Sequence, residues 1–184
     1  IPLSIAGVSP VWMGYDPNPG SNTSAWRQDA NLGAIIAGVG ASGANNNWYT
    51  GTAGSPTQTG MINTDAVLFD DTVNTAPLNA TGTVGAGTVA GSKTVDISNG
   101  NVTPSSVTFN NTTAANYVLQ GSNGISGGTS LLKANNGTLT INNTNFFTGG
   151  VNLNGGKIVV GNTAALGATT NTVAFGTASN AFLD

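Results

Sequence analysis

Apolar and polar residues alternate in short bursts along the second half of the chain. Residues 94–97 (TVDI), 106–110 (SVTFN), 116–120 (NYVLQ), 130–133 (SLLK), 138–141 (TLTI), 151–153 (VNL), 157–160 (KIVV) and 172–175 (TVAF) each read as a strand. They are rich in β-branched and aromatic residues, and Gly, Asn and Thr turns separate them. Two of them echo each other. Gly137-Thr138-Leu139-Thr140-Ile141 returns nineteen residues later as Gly156-Lys157-Ile158-Val159-Val160. A period of about 20 residues predicts stacked coils of a parallel β-solenoid, not a closed sandwich. In such a stack each coil covers the apolar side chains of its neighbour, and Gly and Asn supply the positive φ of the corners.

The first part of the chain has a different texture. Residues 1–75 hold all three Trp, both Met and five of the seven Pro. They are read as an N-terminal all-β segment, either a cap or a sandwich-like unit, with 76–184 as the strand-repeat region. Ile1, Leu3 and Ile5 alternate with smaller or polar residues as in an edge strand. The longest apolar stretch, 32–41 (LGAIIAGVGA), is broken by three Gly and is too short for a membrane-spanning helix.

Composition narrows the chemistry. Gly (27), Thr (26) and Asn (25) account for 78 of 184 residues, and charged residues for 6%. Helix formers are scarce, so an all-β fold is expected. With no His there is no imidazole base or His-bound metal, and with no Cys no thiolate or disulfide. Four cations cannot make a phosphate-binding stripe, so nucleic acid is not an expected partner. No enzyme activity and no cofactor are expected. Repeated Asn and Thr are suited to ladders between coils.

From Ser105 onward the chain resembles the autotransporter-associated β-strand repeat family. The resemblance is carried by 137–139 (GTL), 140–150 (TINNTNFFTGG), 151–162 (VNLNGGKIVVGN) and 164–167 (AALG). Phe146-Phe147 stands where the family usually has Thr-Tyr. Asn47-Trp48, 65–71 (DAVLFDD), 106–111 (SVTFNN) and 117–119 (YVL) look similar to the region preceding the first repeat in such proteins. The resemblance implies a β-solenoid of a secreted or cell-surface bacterial protein, with structural or adhesive work and no catalytic residues to transfer.

Three groups of residues are candidates for function. The first is the pair of chain ends. Ile1, Leu3 and Ile5 at one end and Phe182 and Leu183 at the other could pair between copies of the chain by strand addition and build a filament. The second is Trp12, Tyr15, Trp26, Trp48 and Tyr49, which could present an aromatic platform to a surface polysaccharide, or could instead seal the first coils of the core. The third is Asp65, Asp70 and Asp71, a weak candidate for a Ca²⁺ site or a carboxylate pair. Asp70 and Asp71 are adjacent at a strand end, where turn roles are the plainer expectation. Lys93, Lys133 and Lys157 are expected on solvated edges. The leading expectation is thus a secreted, self-assembling structural protein, with an adhesin or carbohydrate-binding module as the alternative.

Overall fold

The computed structural model describes residues 9–14, 26, 47–52, 55–59, 64–74, 91–177 and 180–184. Among these the protein is all-β: thirteen strands, with two short 3-10 turns at Asp71–Asn74 and Thr113–Ala115. The strands are β1 (Val11–Trp12), β2 (Trp48–Thr52), β3 (Ser55–Thr59), β4 (Ala66–Asp70), β5 (Thr94–Asp96), β6 (Ser106–Asn110), β7 (Tyr117–Gln120), β8 (Ser130–Ala134), β9 (Thr138–Ile141), β10 (Val151–Leu153), β11 (Gly156–Val160), β12 (Val173–Phe175) and β13 (Ala181–Leu183). Each of the eight bursts of alternation from residue 94 onward coincides with a strand, with ends displaced by at most one residue.

From β4 on, successive strands fall alternately into two sheets. One runs β12-β10-β8-β6-β4-β1-β2-β3, the other β13-β11-β9-β7-β5. All pairings among β4 to β13 are parallel. Each circuit of the chain therefore adds one strand to each sheet. The echoed pentapeptides are direct neighbours: Thr138 lies opposite Lys157 and Ile141 opposite Val160. In the other sheet Leu131 lies opposite Val151, an offset of 20 residues. A third line of contact joins the circuits away from the sheets. Val102 bridges Ile125, the Phe146 amide donates to the Ile125 carbonyl at 2.7 Å, and that of Ala168 to Phe147 at 2.9 Å.

The alternation along each strand decides what is inside. Side chains two apart share a face, so Val67 and Phe69 of β4, Val107 and Phe109 of β6, and Val151 and Leu153 of β10 all turn inward and are buried. Parallel register stacks them into columns, Val67–Val107–Leu131–Val151 and Phe69–Phe109–Lys133–Leu153. Leu119, Leu139, Ile141 and Ile158 meet them from the opposite sheet in a single core. Burying each such apolar side chain contributes about 1.5–3 kcal/mol.

The N-terminal end is built differently. β1 pairs parallel with β4 but antiparallel with β2, and β2 forms a hairpin with β3. The Trp26 amide donates to the Asp96 carbonyl at 2.8 Å, on the β5 margin of the second sheet. Strands from both sides of residue 75 thus share the eight-stranded sheet.

Candidate functional site

The aromatic candidates converge, but inward. Trp12, Trp26 and Trp48 have no exposed surface, and Tyr49 has 7%. The indoles meet one another edge-on, with centroids 5.1 Å apart for Trp12 and Trp48 and 5.6 Å for Trp26 and Trp48. All three lie against Phe69, at 5.3–5.6 Å. Phe69 in turn stacks on Phe109, which meets Tyr117 edge-on. The Trp12 indole N–H donates to the Ser92 carbonyl at 2.9 Å. Tyr49 packs with Met13 and Val11 beside this cluster, and burial pushes its hydroxyl pKa up. A sugar platform needs an accessible ring face. The three indole faces are used up by the core and Tyr49 is buried, which corrects the expectation of a platform built on Trp12, Trp26, Trp48 and Tyr49. Tyr15 lies outside the described residues.

The acidic residues are separated. Asp65 precedes β4 and Asp70 is its last residue, so the two stand five positions apart along extended backbone. At about 3.3 Å per residue that is roughly 16 Å. Asp70 accepts from the Thr72 amide at 3.0 Å and from the Thr72 hydroxyl. Asp71 accepts from the amide and hydroxyl of Thr112, at 2.9 and 2.6 Å, and so ties its 3-10 turn to the turn of the next circuit. Among the described residues no group of three or more acidic, His or Cys side chains is placed to hold a metal. The three-carboxylate Ca²⁺ candidate is therefore corrected: the strand between its members keeps Asp65 away from the other two.

Of the end residues, Phe182 and Leu183 are 61% and 40% exposed on β13, at the margin of the second sheet. Phe175 on β12 is exposed as well. Ile1, Leu3 and Ile5 lie outside the described residues. Lys157, with its side chain largely at the surface, forms an ion pair with exposed Asp184 at 2.5 Å. Exposed pairs of this kind add little stability.

Lys133 departs from expectation. It was expected on a solvated edge, yet it occupies an inward position of β8, in register between Phe109 and Leu153, and is fully buried. The strand period decides this: Leu131 faces the core, so the residue two further on must too. Its ammonium donates to the carbonyls of Ala134 at 2.5 Å and Asn135 at 3.3 Å. Burial lowers its pKa from 10.5 to about 8, opposed by the charge of Asp71.

Buried amides join the circuits at their corners. Asn145 accepts from the Ile125 amide at 2.8 Å and donates to the Ala165 carbonyl at 2.7 Å, so one side chain links the circuit before it to the circuit after. Asn143 donates to the Asn123 carbonyl at 2.9 Å. Asn111 donates to the Ala115 carbonyl at 2.8 Å and to the Thr138 carbonyl, in the next circuit, at 3.3 Å. Composition suggested such ladders without picking out their members. For Asn143 the sequence held a signal, an Asn one period earlier at Asn123, whose backbone carbonyl it meets.

Comparison with known proteins gives one informative likeness. Over 115 residues, 59% of this chain, the protein is 35% identical to the adhesin BmaC autotransporter of Brucella suis biovar 1 (strain 1330). The chain spans 3% of that relative's length. No family model matches the chain. No solved structure matches it.

Proposed function

We propose that the chain is a section of a bacterial surface adhesin, folded as a parallel β-solenoid and acting without catalysis. The carrying observation is the 35% identity to an autotransporter adhesin. The alternation of parallel strands between two sheets, repeated at offsets of about 20 residues, supports the solenoid. The same likeness supports a location at or outside the cell surface.

The work of such a section is mechanical and presentational. Backbone ladders join every circuit to the next in both sheets, and corner amides add cross-links. The stack can therefore hold an adhesive surface away from the cell. The outward positions are mostly small or polar, among them Ser106, Thr108, Asn110, Gln120, Thr138, Thr140 and Asn152. They, and not the buried indoles, form the face offered to a partner such as a surface polysaccharide. The filament reading draws no support from the comparison.

The test is display of the chain on a non-adherent bacterium. Attachment to host-cell monolayers should rise several-fold over cells displaying an unrelated β-rich protein of equal abundance. Equal attachment, with the chain shown by antibody to be folded and exposed, would overturn the adhesive role. Fibre diffraction or cryo-electron microscopy should show a strand spacing of about 4.8 Å along the stack; its absence would overturn the solenoid.

A further inference from the structure

We propose that Asn99 is a site of spontaneous backbone modification, converting to aspartate and isoaspartate while the protein stays folded. The chain contains four Asn–Gly steps, at Asn99, Asn123, Asn136 and Asn154. The structure treats them differently. The Gly124 amide donates to the Asn101 side chain at 3.0 Å, and the Gly137 amide to the Asn111 carbonyl at 2.9 Å. The Asn123 side chain donates to the Ser98 carbonyl at 3.1 Å. The peptide between Leu153 and Asn154 is held by both neighbouring circuits: the Asn154 amide donates to the Lys133 carbonyl, and the Leu153 carbonyl accepts from the Gly176 amide. A Cβ on Gly176 would come within 2.7 Å of the Asn154 side-chain oxygen, so that amide is packed against the following circuit.

Asn99 and Gly100 have none of these restraints. Both are exposed, in the turn after β5. Among the described residues neither the Asn99 side chain nor the Gly100 amide makes a hydrogen bond. Gly100 has φ of +123°, and a Cβ there would meet nothing within 4 Å. The backbone nitrogen can thus swing onto the side chain without breaking a hydrogen bond to any described residue. After losing its proton to solvent, the Gly100 nitrogen attacks Asn99 Cγ. The bond from Cγ to the side-chain nitrogen breaks, ammonia leaves and a succinimide closes. Water then opens the ring at either carbonyl, giving aspartate or isoaspartate. One water enters, one ammonia departs, and nothing is oxidised or reduced.

The experiment is incubation of the intact chain at mildly alkaline pH, followed by peptide mapping by mass spectrometry and enzymatic isoaspartate labelling. Asn99 should convert at least about tenfold faster than each of the other three, since those must first give up a hydrogen bond or a packed position. A urea-denatured sample should convert at all four. Asn99→Gln should remove most isoaspartate from the folded sample. Conversion at Asn123, Asn136 or Asn154 as fast as at Asn99 would overturn the proposal, as would an unchanged Asn99 in folded protein whose denatured form reacts.

Discussion

Phe69 and Phe109 lie face to face, with ring centroids 4.4 Å apart and planes 12° from parallel. They are opposite residues of β4 and β6, forty positions apart in sequence. The pair joins the Trp-rich end of the core to the repeating circuits, because the three indoles rest on Phe69 and Tyr117 meets both Phe rings. Phe109→Ala should therefore destabilise the protein by about 4 kcal/mol, the cost of a large cavity in a closed site. Phe109→Leu should cost less than half of that. Urea denaturation read by circular dichroism checks both. A loss under about 1 kcal/mol for the alanine variant would show that the ring does not join the two parts.

The indoles give a spectroscopic prediction. With Trp12, Trp26 and Trp48 fully buried, emission from the folded protein should lie at short wavelength and resist quenching by acrylamide. Both properties should be lost together on unfolding. Trp12→Phe keeps most of the packing but leaves the Ser92 carbonyl without the indole donor, and should cost about 1–2 kcal/mol. Native emission as quenchable as that of free tryptophan would contradict the packing.

The repeating part of the fold was legible in the sequence because its signal is local. A strand such as TLTI shows its inward face by period 2, and GTLTI and GKIVV announce their own pairing by likeness. The N-terminal part was not legible in this way. The hairpin of β2 and β3 has no alternation to mark it, since 55–59 reads SPTQT and contains a Pro. The direction of the indoles was equally hidden, because a Trp that seals a core and a Trp that binds a sugar have the same local sequence. Lys133 was misread by residue type, although its position two after Leu131 places it inside. A lysine can sit there because its stem is apolar and its ammonium reaches corner carbonyls.

Asn145 tests the corner links. Its side chain satisfies the buried Ile125 amide and the Ala165 carbonyl at once. Asn145→Ala leaves both without that partner and should cost about 3 kcal/mol. Asn145→Asp keeps the shape but replaces the donor with a carboxylate oxygen facing the Ala165 carbonyl. That variant should be less stable at neutral pH than in mild acid, where the carboxyl is protonated and can donate again. Urea midpoints of the aspartate variant at the two pH values decide the point. The parent protein supplies the baseline, and equal pH responses in the two would refute the donor role of Asn145.

Lys133 predicts an alkaline rise in stability. Its folded pKa of about 8 lies below the ordinary 10.5. Between those values the unfolded chain binds more protons than the folded one, so unfolding free energy increases with pH. Below about 8 the ammonium is charged in both states, and the full cost of burying it is present. The opposing groups are tyrosines. Burial raises the pKa of both Tyr49 and Tyr117, and the charge of Asp70 adds to the shift. An acid with a raised folded pKa contributes stability that is lost as pH climbs above the unfolded value of 10.0. Stability should therefore increase from about pH 8, pass through a maximum near pH 10 and fall beyond it. Lys133→Met has similar length, fits the column between Phe109 and Leu153, and carries no charge to bury. It should abolish the rise while leaving the fall above pH 10, as read by urea midpoints across the range. A rise that survives in the methionine variant would show that some other group carries the alkaline stabilisation.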